Sequence, residues 1–160
     1  MKKTIIYITS IISLVILTFS CTSECYVAKD SYVKISFLDS TTIKKKNITG
    51  LTVQGVLNDS ILYKNSSVNL ISLPLHISNN KTNYKFILPS RIEGSTAPDT
   101  ILLHIDHTPK PQLISEECGC AMYHTINDIT LINNTYNFRL DITNTNVTND
   151  DKEAHIKILH

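Results

Sequence analysis

Apolar residues in this chain alternate with polar ones over short runs, and beyond the first twenty residues no window of eleven or more carries a clean 3.6-residue repeat. A period of two sends successive side chains to opposite faces of a strand, whereas an amphipathic helix needs a period near 3.6. In Tyr32-Val33-Lys34-Ile35-Ser36-Phe37, the apolar Val33, Ile35 and Phe37 alternate with Lys34 and Ser36. Leu51, Val53 and Leu57 repeat the pattern, and Asn58-Asp59-Ser60 then turns the chain into Ile61-Leu62-Tyr63 as a hairpin return. Further strands are expected at 68–73, 84–88, 100–106, 113–123, 128–132 and 155–159, with a polar, Asn-rich loop at 144–151. About eight short strands separated by turn signals predict an all-β, antiparallel sandwich or partly open barrel. The abundance of Ile, Thr, Asn and Ser supports strands and turns over helices.

The first twenty residues follow a different rule. Met1-Lys2-Lys3 is a short positive segment, and no further charge occurs until Glu24. The apolar stretch from Ile5 to Phe19 makes a helix of roughly 22 Å, short of the roughly 30 Å hydrocarbon core, so an export signal is preferred to a membrane span. Thr18-Phe19-Ser20-Cys21 is similar to a lipobox: Ser20 and Cys21 are in place, and the usual Leu stands one position early, at Leu17. The expected organisation is a lipoprotein signal peptide over 1–20, a lipidated tether over 21–30 and a single β domain over 31–160. Cys21 is the expected lipidation site; a conventional cut would instead leave its thiol for the core or a disulfide. Several acyl chains at Cys21 would hold the domain to a lipid membrane far more firmly than one myristoyl group does. The formal net charge of +1 gives no reason to expect nucleic acid as a partner.

An exported chain keeps disulfides, so Cys25, Cys118 and Cys120 read first as a covalent framework. On one strand residues 118 and 120 share a face and are poorly placed to bond to each other. The expected bridge is Cys25 to Cys118, closing about 93 residues, with Cys120 as a small buried apolar group. A metal site combining Cys118 and Cys120 with His124 lacks a fourth matched ligand, so neither a metal nor a cofactor is expected.

His104-Ile105-Asp106-His107 is the compact cluster of acid-base or ligating residues. On a strand His104 and Asp106 share one face and His107 takes the other, so they converge only at a bulge, and an exposed strand end is expected. Ser115-Glu116-Glu117 has no Gly-x-Ser-x-Gly elbow and no placed histidine, which leaves a solvated turn before Cys118. No catalytic residue is expected. The Asn-x-Ser/Thr triplets at Asn47 and Asn65 matter only where eukaryotic glycosylation operates.

Several segments together resemble the Bacteroidota lipoproteins catalogued as domain of unknown function 6452. They are Leu51-Thr52-Val53-Gln54-Gly55, Asn58-Asp59-Ser60-Ile61-Leu62-Tyr63, Ile71-Ser72-Leu73-Pro74-Leu75 and Asp99-Thr100-Ile101, then Ile114-Ser115-Glu116-Glu117-Cys118-Gly119 and the ending His155-Ile156-Lys157-Ile158. Cys25 takes the place of the early family cysteine, and Cys120 stands where such proteins usually carry an aromatic. The resemblance implies a small secreted β domain, no known enzyme activity and an outer-membrane β-barrel protein as a partner. Asp39-Ser40-Thr41, Asp59-Ser60-Ile61 and Asp99-Thr100-Ile101 also resemble the O-glycosylation triplet of that phylum, with Thr100 expected in a core strand. Thr22-Ser23-Glu24 lacks the acidic run of surface-displayed lipoproteins, which implies the periplasmic face of the outer membrane. The leading expectation is a non-enzymatic accessory or interaction domain. Its rivals are a small-ligand or glycan-binding module and a hydrolase or metal-dependent enzyme built on His104, Asp106 and His107.

Overall fold

The computed structural model describes residues 31–116, 119–149 and 151–160. Expectations that fall on 1–30, including Cys21 and Cys25, and on Cys118 lie outside those residues. The described residues form ten strands and no helix: β1 (Tyr32–Leu38), β2 (Ile48–Gly55), β3 (Ile61–Val68), β4 (Leu70–Pro74), β5 (Lys81–Leu88), β6 (Asp99–Ser115), β7 (Gly119–Ile132), β8 (Arg139–Ile142), β9 (Asn146–Val147) and β10 (Ile156–Leu159). Among them no helix is long and apolar enough to cross a membrane.

The strands form a four-stranded sheet, in the order β4-β1-β10-β8, and a six-stranded sheet, in the order β3-β2-β5-β6-β7-β9. Alternation explains how they pack. Val33, Ile35 and Phe37 of β1, with Ile71, Leu73, Ile156 and Ile158, turn inward from the first sheet. Tyr84, Phe86 and Leu88 of β5 and Ile101, Leu103 and Ile105 of β6 turn inward from the second. Phe37 and Phe86, both fully buried, meet across the interface with ring centroids 6.4 Å apart. The two inner faces share one apolar core, the arrangement of a β-sandwich. β1 pairs antiparallel with β4 and parallel with β10, bringing the two ends of the described chain side by side at the centre of the smaller sheet.

The hairpin read from Asn58-Asp59-Ser60 is present. β2 and β3 are antiparallel, and the Asn58 carboxamide oxygen accepts from both the Ser60 backbone N–H and its hydroxyl. The strand expected over 113–123 is not: β6 runs to Ser115, a turn follows at Glu116, and β7 begins at Gly119. The strand expected over 128–132 is the far end of β7, displaced in phase by a bulge. Asp106 pairs with Asp128 and His107 with Ile126, so Asn127 has no opposite residue. β8 was not expected, and β9 lies inside the expected 144–151 loop.

β5 covers β6 only from Asp99 to Asp106. Beyond that point β6 and β7 continue together to the Ser115–Gly119 pair, and β9 flanks them only at His124 and Thr125. The hairpin therefore projects from the sandwich as a two-stranded arm. The His107 N–H donates to the Asn80 carbonyl at 2.8 Å, so alternation places the nitrogens of Pro109 and Pro111 along the same open edge. Proline has no N–H to offer there, which blunts the edge against pairing with a foreign strand.

Candidate functional site

At the root of the arm the inward register of β6 continues from Ile101, Leu103 and Ile105 to His107, which is completely buried. His124 of β7, 3% exposed, lies beside it. The two Nδ1 atoms are 3.2 Å apart, with ring centroids at 4.9 Å and planes inclined at 75°. One ring supplies the bridging N–H and the other accepts it, which requires both to be neutral or the pair to carry one extra proton. His107 Nε2 is 2.8 Å from the Thr82 hydroxyl, which also accepts the His76 backbone N–H at 2.9 Å. The chain of contacts thus runs from the β4–β5 connection through β5 and β6 to β7.

Burial pushes both imidazoles below the ordinary histidine value. His124 is lowered to about 4, with His107 reinforcing the effect of burial. For His107, Asp106 opposes the lowering and His76 adds to it. The arrangement can hold and relay a proton. Among the described residues no three His, Cys, Asp or Glu side chains converge as a metal site.

Two hollows flank this cluster. A groove of about 380 Å³ lies between the β2–β3 turn and the end of β4. Val56, Leu57, Leu62 and Leu75 form apolar walls, while Asn58 and His76 add polar groups. Tyr84 forms part of the lining and donates its hydroxyl to the Pro74 carbonyl; burial raises the Tyr84 phenol above its ordinary value. A smaller hollow of about 240 Å³ is lined by Ser31, Tyr32, Leu75, Met122 and His124. The chain therefore enters β1 beside the root of the arm.

The residues singled out by sequence are dispersed. His104 and Asp106 face outward, and His104 Nδ1 bonds the Asn83 carboxamide oxygen. His107 faces inward, so the expected split onto opposite faces is present, but the expected exposed strand end is not: His107 is fully buried against Thr82 and His124. Cys120 is an exposed free thiol rather than the small buried apolar group expected. Thr100 lies in the core strand β6, as expected, with its side chain exposed on the outer face. Ser40 and Thr41 lie exposed in the turn after β1, where the Asp39 carboxylate accepts the Thr41 and Thr42 backbone N–H groups. Those bonds, with Lys46 at 3.0 Å, hold Asp39 well below the usual carboxylate range.

From the sequence, His124 reads only as a metal ligand, and His155 only as the start of a strand and part of a family motif. The signal that could have found the pair was present. His107 continues the apolar phase of β6, and a polar residue in that phase needs a buried partner.

No curated protein and no solved structure matches the chain. A family model described as "Family of unknown function (DUF6452)" matches residues 50–160, a span that contains His107, His124 and His155 but stops short of β1. The match covers well over half of the sequence, and the chain belongs to that family of unknown function.

Proposed function

We propose that this protein is an envelope lipoprotein, anchored by acyl chains on Cys21 to the periplasmic face of a Bacteroidota outer membrane, whose β-sandwich is a non-enzymatic accessory or interaction domain. The observation that carries this reading is the arm. It reaches past the sheet at the end where Ser31 enters the fold, and it carries the exposed Leu113. Its tip, where Leu113 and Cys120 are exposed, covers none of the core and is well placed to meet another protein. An outer-membrane β-barrel protein is the proposed partner, and nucleic acid is not. Catalysis by His104, Asp106 and His107 is disfavoured because their side chains face opposite sides of one strand.

Crosslinking in intact cells followed by mass spectrometry tests the interaction. A reproducible envelope partner linked to Lys110 or its neighbours, and lost on Leu113→Asp, is the expected result; the absence of any such partner sinks it. The anchor is tested separately. Cys21→Ala should leave the membrane fraction and stop incorporating labelled palmitate.

A second reading rests on the groove. Its volume falls in the range of small-ligand sites, and its apolar walls with a few polar groups suit a small apolar or glycan ligand. Native mass spectrometry of protein purified from its own membranes would reveal a retained small molecule, which Leu62→Arg should expel.

A further inference from the structure

Histidines buried as a pair without a carboxylate between them are uncommon, because each is costly to ionise away from water. Around this pair stand Thr82 on β5, His76 beyond β4, Tyr32 at the start of β1 and Val147 on β9, with Asp106 on the opposite face of β6. Among the described residues no carboxylate hydrogen-bonds to either ring. The pair also sits at a structural boundary. On one side β6 is flanked by β5 and β7; on the other it belongs to the free arm.

We infer that His107 and His124 form an acid-operated latch, which at neutral pH ties the root of the β6–β7 arm to the β4–β5 connection and opens when both rings carry an extra proton. The proton inventory gives the sequence of events. In the neutral pair one N–H lies between the two Nδ1 atoms. With His107 as the Nδ1–H donor of that bridge, its Nε2 is bare, and a first proton from solvent can settle there. The Thr82 oxygen then accepts that N–H as well as the His76 N–H, using both of its lone pairs, and the Nδ1 bridge survives. A second proton has no free site except the accepting Nδ1. It sets N–H against N–H across 3.2 Å and places two like charges in the core. The rings must then separate, and the adjacent bonds go with them: His107 N–H to Asn80 and Ile126 N–H to Thr145. The lowered proton affinity of both imidazoles keeps the latch closed through neutral pH, and the two protons bind as a coupled system.

Amide hydrogen exchange on the full mature chain, corrected for the intrinsic pH dependence of exchange, tests the latch. Between pH 7 and pH 4 the protection of the His107, Thr125 and Ile126 amides should fall at least about tenfold, while that of Ile35 and Ile156 in the smaller sheet should stay constant. In His124→Phe, which keeps the bulk and removes the ring that takes the second proton while Thr82 still accepts the first, root protection should be independent of pH over the same interval. NMR titration of the wild-type imidazoles provides a measurement that needs no variant. The two rings should titrate below 6.5, in step with the loss of protection at the root. Unchanged root protection in the wild type, an equal loss at Ile35 and Ile156, or an acid response that persists in His124→Phe would each overturn the proposal.

Discussion

His155 Nε2 donates to the Asp151 carboxylate across 2.8 Å while its Nδ1 accepts the Lys34 backbone N–H at 2.9 Å, so both ring nitrogens of a fully buried imidazole are occupied. This fixes one neutral tautomer, Nε2–H. The His155 backbone N–H in turn donates to the Lys34 carbonyl, and its carbonyl accepts from Thr143. One residue thus joins the 144–151 segment, the central strand β1 and the entry to β10. His155→Leu keeps the bulk but leaves the Lys34 N–H and the Asp151 carboxylate without this partner. The expected cost is about 2 to 4 kcal/mol, read as a lower denaturant midpoint with an unchanged m-value. A loss below about 0.5 kcal/mol would show that water replaces the ring, and the structural role would fail.

The same contact sets a pH dependence. Partial burial pushes the Asp151 carboxyl up, but the hydrogen bonds from the Thr148 backbone and from His155 outweigh it and leave the group below its ordinary value. A carboxyl with a lower pKa in the folded state than in the unfolded one adds stability above the unfolded value, roughly 3.9, and loses it as pH falls through the folded value. Asp151→Asn should therefore lower stability at pH 6 and flatten its decline below about pH 4. Parallel acid limbs for the two proteins, measured by urea unfolding across pH 2.5 to 6, would contradict this.

Two glycines separate backbone strain from collision. Gly50 and Gly94 both adopt positive φ, at 77° and 81°. A Cβ on Gly94 would meet nothing within 4 Å, whereas one on Gly50 would stand 2.7 Å from Pro89 Cγ. Gly94→Ala should cost about 1 kcal/mol from conformation. Gly50→Ala should cost about 2 to 4 kcal/mol, because the stiff pyrrolidine must also shift. Thermal melts that place both variants within 1 °C of each other would remove the distinction.

The inward alternation of β1, β5 and the first half of β6 was legible because Val33, Ile35 and Phe37, then Tyr84, Phe86 and Leu88, then Ile101, Leu103 and Ile105 keep one phase without interruption. What escaped had physical causes. The bulge opposite Asp106 shifts the inward set of β7 from His124 and Ile126 to Ile129 and Leu131, so one long strand read as two. β8 and β9 are short edge strands with little apolar signal, since an edge strand gains its order from a neighbour rather than from its own pattern. The parallel pairing of Ile35 with Ile156 joins opposite ends of the chain and leaves no local trace. At the candidate site, alternation correctly separated His107 from His104 and Asp106. Which of the two faces is covered depends on what packs against the strand from elsewhere in the chain, and that is a tertiary fact.

The thiols give the last prediction. Cys120 is exposed and free, whereas Cys25 and Cys118 are the proposed bridge. Ser31, the first described residue, and Met122 of the arm line one hollow. The six residue steps from Cys25 to Ser31 span at most about 20 Å. In native, unreduced protein, iodoacetamide should modify Cys120 and neither Cys25 nor Cys118. A non-reducing peptide map should return the Cys25 and Cys118 peptides linked, and reduction should lower stability by up to about 4 to 5 kcal/mol, the loop-entropy value for a closure of this length. Rapid labelling of all three thiols, or a link from Cys25 to Cys120, would refute the pairing. In the second case the exposed arm thiol would be the one that captures the tether.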